Sequence, residues 1–107
     1  MLSEEELLKK VIRHLENIYD PEIPVNIYAL GLIYDIGFKP TQYGYNCYIN
    51  MTLTSSACPV AEVLVQQVYN ISSLIDELDI MFVNLVYEPP WNQEMMSYEA
   101  KLELGLL

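Results

Sequence analysis

Cys58 stands between a polar run, Thr54-Ser55-Ser56-Ala57, and Pro59, a residue type favoured at the first position of a helix. A thiolate at the N-cap of a helix accepts backbone N–H groups and feels the positive end of the helix dipole. Both effects favour the ionised form that attacks electrophiles and binds metals. Cys58 is therefore the residue whose position best suits chemistry, the plain alternative being a small buried hydrophobe that ends a loop. Asp20 and Glu22 flank Pro21 and could orient a metal or a proton transfer; equally, Asp20 could close a helix while Glu22 is solvated. The hydroxyls of Thr54 and Ser55 could bond a ligand at Cys58 or satisfy backbone groups in the turn. Pro89-Pro90-Trp91, followed by Met95-Met96, offers aromatic and thioether surface, with Trp91 as the candidate partner contact if the cluster is not simply the lid of the core.

The absences narrow the chemistry. His14 is the single histidine, and its neighbours Arg13 and Glu16 place it toward solvent, away from a Cys–His pair. No Cys-x-x-Cys, glycine-rich phosphate loop or histidine-rich tract occurs, so neither a closed zinc site nor a nucleotide site is argued for.

Periodicity supplies the elements that must position these groups. Ser3 with Glu6 three residues later reads as a capping box, and Leu7, Leu8, Val11, Ile12, Leu15, Ile18 and Tyr19 follow at helical spacing, predicting a helix from Glu4 to Tyr19. The acids Glu4, Glu5 and Glu6 lie where the helix dipole favours anions. Pro21 and Pro24 make residues 20–24 a stiff loop. Asn26 caps a helical turn that stops at Gly31. Leu32–Phe38 and Tyr45–Leu53 form a hairpin about Lys39–Gly44, where Pro40 and Gly44 read as turn residues, with Cys47, Ile49, Met51 and Leu53 on one face, so Cys47 belongs to the core and both thiols are expected free. A second long helix spans Pro59–Leu74, with Val60, Val63, Leu64, Val68 and Ile71 on its stripe. Ile80–Tyr87 returns as a strand parallel to the second through a right-handed crossover, and Ser97 caps a last helix ending before Gly105. The order is α-β-β-α-β(-α): an α+β, two-layer domain with a three-stranded mixed sheet packed against helices.

The chain has 107 residues and a mass of 12.4 kDa, the size of one domain over residues 1–107. Hydrophobic residues make up 52% and charged residues 19%, enough for a packed core and too few charges for a disordered tail. A formal net charge of -10 opposes binding to phosphate backbones, so neither nucleic acid nor an anionic membrane is an expected partner. The acidic start lacks the basic region of a signal peptide, and no apolar run is long enough to span a bilayer, so a cytoplasmic location is expected.

Five stretches together resemble the SufT-type iron–sulfur assembly factors. They are Asp20-Pro21-Glu22-Ile23-Pro24; Asn26-Ile27-Tyr28 through Leu30-Gly31-Leu32-Ile33-Tyr34; Met51-Thr52-Leu53-Thr54 leading to Ala57-Cys58-Pro59-Val60-Ala61; Pro89-Pro90-Trp91; and Met96-Ser97 with Ala100-Lys101-Leu102-Glu103-Leu104-Gly105. The resemblance covers nearly the whole chain in order and extends to the cytosolic iron–sulfur targeting subunits of eukaryotes and to PaaD. It implies a small assembly domain, not an enzyme, that assists delivery of iron–sulfur clusters to apo-proteins. Cys58 would be its functional thiol and a transient or shared cluster ligand, with Asp20, Glu22, Thr54 and Ser55 as the pocket. Its expected partners are an iron–sulfur scaffold or client apo-proteins. One cysteine cannot hold a cluster alone, so further ligands would come from a homodimer, a partner protein or a small thiol. Ser55-Ser56-Ala57 departs from the family's usual threonine, proline and glycine or methionine, which alters the stiffness of that loop, and Ala29 replaces a common acid.

Two other classes compete. Ser55-x-x-Cys58 is similar to the Thr/Ser-x-x-Cys core of peroxiredoxins, but that fold needs a longer chain and an arginine beside the sulfur, and Arg13 is the only arginine here. An adaptor without chemistry would use Trp91 and the tyrosines as its interface and leave Cys58 incidental.

Overall fold

The structure is a computed structural model that describes residues 3–54 and 58–106, with the side chains of residues 58–60 outside the description. Helix α1 (Glu4–Leu15) starts where expected: the Ser3 Oγ accepts the Glu6 N–H at 3.2 Å and its hydroxyl donates to the Glu6 carboxylate. Leu7, Val11 and Leu15 recur every four residues and are fully buried.

The helix ends four residues before the predicted Tyr19. Asn17 and Ile18 donate to the carbonyls of His14 and Leu15, three residues back, and tighten the chain. The Ile18 carbonyl then accepts the Ile27 N–H at 2.8 Å, and Tyr19 bridges to Asn26. Pro21 had already excluded Asp20 from helical dihedrals, so pairing with residues 25–27 satisfies backbone groups that further helix would have used.

Strands β1 (Ile33–Thr41) and β2 (Gly44–Met51) form the expected antiparallel hairpin, and β3 (Leu78–Leu85) pairs parallel to β2, giving the order β1-β2-β3. β1 runs through Pro40, where the sequence predicted a turn. Pro40 opposes Tyr45, whose N–H is directed away from β1 to the Glu77 carbonyl, so the missing proline N–H lies on the outer side of an edge strand and breaks no ladder bond. Helix α2 (Cys58–Tyr69) and a 3-10 turn (Asn70–Ser73) make the crossover. Leu64, Val68, Ile71 and Ile75 are its buried stripe, while Val63, expected in that stripe, flanks it and is exposed. A second 3-10 turn (Gln93–Met95) precedes α3 (Tyr98–Glu103), whose cap Ser97 accepts the Ala100 N–H at 3.1 Å.

The helices cover one face of the sheet, where Cys47, Ile49, Met51 and Met81 are buried. Asn46, Tyr48 and Asn50 alternate with that set on β2, and Tyr48, Ile80 and Phe82 face solvent on the other side. The protein is thus α+β with a three-stranded mixed sheet. Among the described residues no helix is long and apolar enough to cross a membrane.

Candidate functional site

The loop that follows α1 is organised by one side chain. Asp20 is only 5% exposed, and its Oδ2 accepts the N–H groups of Glu22 at 2.9 Å and Ile23 at 2.8 Å. Aspartate before proline often starts a turn in which the carboxylate replaces backbone acceptors, so this geometry follows from Asp20-Pro21 itself. The Asp20 N–H donates to the Val25 carbonyl at 3.2 Å and closes the loop on itself.

A capped turn carries the chain from this loop to the sheet. The Asn26 Oδ1 accepts the Ala29 N–H at 2.8 Å, and Gly31 adopts φ +80, a left-handed conformation in which a side chain would also collide with the Met95 carbonyl. The end of β2 then returns beside it. The Thr52 N–H donates to the Leu32 carbonyl at 2.8 Å, and the Thr54 hydroxyl donates to the Asp20 Oδ1 at 3.3 Å. Asp20 and Thr54, 34 residues apart, therefore share a hydrogen bond, and the Asp20 carboxylate holds two loops with three bonds.

Glu22 belongs to the same loop, with its N–H bonded to Asp20 and its side chain exposed. Ser55 lies outside the described residues. Cys58 is the first residue of α2, one position inside the helix and not the predicted N-cap, so its own N–H is among the four that the helix leaves unbonded. The four-residue reach of the chain keeps its Cα within about 14 Å of that of Thr54.

Cys47 contrasts with it. It is a free cysteine, fully buried in β2, and burial pushes its thiol up to about 12. A thiol held protonated in apolar surroundings is neither nucleophile nor metal ligand. His14 lines a shallow groove with Asn17, Gln67 and Asn70 near the C-terminal end of α2, roughly 13 Å of helix rise from Cys58, so α2 itself separates the histidine from the thiol's end. Among the described residues no group of three His, Cys, Asp or Glu side chains gathers in a metal-binding arrangement.

Trp91 is half-buried against the core, and its Nε1–H donates to the Leu30 carbonyl at 2.7 Å, one residue before Gly31. The Tyr34 hydroxyl donates to the Pro89 carbonyl at 2.6 Å. Pro89-Pro90-Trp91 thus braces the back of the capped turn, a role that sequence spacing did not show because both acceptors are backbone carbonyls. The one signal available was that a buried indole needs an acceptor.

The profile of the family described as iron–sulfur cluster assembly protein matches residues 8–71, a stretch that contains the Asp20 loop, Thr54 and Cys58. A Porphyromonas gingivalis protein named Fe-S protein maturation auxiliary factor is 40% identical over 97 residues, covering 91% of this chain and 90% of its own. The Fe-S protein maturation auxiliary factor SufT of Staphylococcus aureus is 37% identical over 89 residues, covering 83% of this chain and 98% of its own. The crystal structure of a domain of unknown function from Bacillus anthracis superposes with a TM-score of 0.82 at 38% identity, over 96% of this chain and 95% of that one. With its motifs in order, its fold shared and its relatives matched nearly end to end, the chain belongs to the iron–sulfur cluster assembly protein family.

Proposed function

We propose that this chain is an auxiliary factor in the maturation of iron–sulfur proteins, and that Cys58 is the thiol through which it meets the cluster. The cluster is cargo in this reading. The Cys58 thiol gives its proton to solvent, and the thiolate displaces one scaffold cysteinate from an iron; the displaced sulfur takes up a proton, and a cysteinate of the client apo-protein then displaces Cys58 in the same way. The exchange changes ligands and makes no new covalent product, so the protein acts as a transfer factor and not as an enzyme.

The observation that carries the reading is the Asp20–Thr54 hydrogen bond, which ties the Asp-Pro-Glu loop to the stretch that leads into α2. That tie holds Thr54, four residues before Cys58, against the Asp20 loop, and the first turn of the helix favours a thiolate through its unbonded N–H groups and dipole. Asp20 and Thr54 are positioning residues here. Glu22 and Ser55 complete the pocket, Glu22 as an exposed acid that meets the incoming partner, and Trp91 steadies the pocket from behind. The chain works as one domain in the cytoplasm, where thiols stay reduced.

The test is complementation in cells that lack the protein and need it for an iron–sulfur client enzyme. Cys58→Ser is expected to keep the far-ultraviolet circular dichroism of the wild type and fail to restore client activity, while Cys47→Ala restores it. Full restoration by the folded Cys58→Ser variant would overturn the reading.

A further inference from the structure

The two edges of the sheet differ in how they meet solvent. β1 carries Lys39 and Pro40 and an irregularity between Ile33 and Asp35, features that discourage a further strand from adding to an edge. β3 has no proline and no lysine, and its one charge, Asp79, accepts the Thr41 hydroxyl at 3.1 Å. After a register shift near its start, β3 pairs regularly with β2 from Met81 to Leu85.

The direction of its backbone groups follows from two bonds. The Val86 N–H donates to the Met51 carbonyl at 2.8 Å, and the Ile80 N–H donates to the Asn46 side chain, so the even-numbered residues turn toward β2. Met81, Val83 and Leu85 therefore direct their N–H and C=O groups outward, where among the described residues no strand pairs with them. Beside this edge the rings of Phe82 and Tyr48 stack at 4.8 Å and 6°, with Phe82 42% exposed.

We propose that the β3 edge is a self-association surface on which a second copy of this chain adds its own β3 antiparallel, about a two-fold axis at Phe82. The parity of the strand permits this register, and the exposed Phe82 ring places the axis there. Met81 and Val83 exchange paired hydrogen bonds with Val83 and Met81 of the second copy, four in all. Phe82 meets its counterpart as a non-hydrogen-bonded pair, the closer of the two pair types. The Tyr48–Phe82 stack then continues across the axis into a row of four rings, and two three-stranded sheets become one of six. On the core face Met81 opposes Val83, apolar against apolar.

A second copy fits better than an unrelated partner because the contact is self-complementary and because β3 is poor in charge in a chain of formal charge -10. A basic partner would be drawn to the acidic remainder of the surface. Two copies repel at long range, so their association strengthens as salt screens the repulsion. The surface is independent of the thiol reading, since its bonds come from Met81 and Val83 of β3 and none from the Asp20 loop or Thr54.

The test is sedimentation equilibrium of the full chain from micromolar to millimolar concentration with both cysteines kept reduced. A monomer–dimer equilibrium that tightens with salt is expected. Val83→Pro removes an N–H that points only outward, so it leaves the β2–β3 ladder whole and should weaken association by at least about 10-fold. Phe82→Thr should weaken it as well. In the wild type, amide exchange at Met81 and Val83 should slow as concentration rises, a readout that needs no variant. A monomer at every concentration would overturn the proposal. So would a dimer indifferent to Val83→Pro with unprotected amides, or protection of those amides only by another protein's extended segment.

Discussion

Cys47 and Cys58 belong to one continuous passage from strand to helix, one in mid-strand and the other at the first position of α2. β2 keeps Cys47 among Ile49, Met51 and Met81, fully buried, with its thiol pushed up to about 12. Past Met51 the chain leaves the ladder, and its polar groups bond to the Asp20 loop through Thr54 before α2 opens at Cys58. A thiol is made inert by apolar packing and usable by the first turn of a helix. The two positions lie 11 residues apart because β2 ends at Met51 and α2 begins at Cys58.

Removing Asp20 should disturb the second region most. Asp20→Ala leaves the N–H groups of Glu22 and Ile23 and the Thr54 hydroxyl without their common acceptor, at a cost of about 2–4 kcal/mol by urea denaturation. A loss below about 0.5 kcal/mol would mean that the carboxylate does not organise the loop.

The interior is probed by alkali. The unfolded chain ionises Cys47 near the ordinary thiol value of 9.0, while the folded chain resists until about 12. Above pH 9 the unfolded state therefore holds fewer protons than the native state, and stability falls with rising pH by up to about 1.4 kcal/mol per unit until the folded thiol titrates. Other groups titrate in the same window, so the difference between wild type and Cys47→Ala isolates the effect, and Cys58→Ala should retain it. Parallel stability curves for wild type and Cys47→Ala would contradict the burial of that thiol.

Thr54→Val should show the smallest change. It removes one hydrogen bond of 3.3 Å and should cost about 0.5–1 kcal/mol. In the double variant with Asp20→Ala the two losses should sum to more than the measured total, because both delete the same bond. Strict additivity would separate the two loops energetically.

Much of this arrangement was legible in the residues. Ser3, Asn26 and Ser97 cap as their types demand, alternation placed Cys47 in the core, and the long connection to β3 implied a parallel pair. What escaped the sequence was settled by contacts between distant segments. Ile18 and Tyr19 fit a helical stripe but pair with residues 26 and 27 instead. Pro40 read as a turn because nothing local says that its strand is an edge. The sequence left Asp20 and Glu22 open between a working pair and a helix-closing acid beside a solvated one; Asp20 is a buried acceptor of three bonds and Glu22 is exposed, a difference made by Thr54 and by the direction in which Pro21 turns the loop.

The most direct measurement is the rate at which each cysteine of the folded protein reacts with a thiol-alkylating reagent near neutral pH, read by mass spectrometry of the two peptides. A thiol moved from 9.0 to about 12 has about 1,000-fold less thiolate, so Cys47 should label only through unfolding while Cys58 labels at least about 1,000-fold faster. Equal rates, or faster labelling of Cys47, would contradict the division of roles between the two thiols.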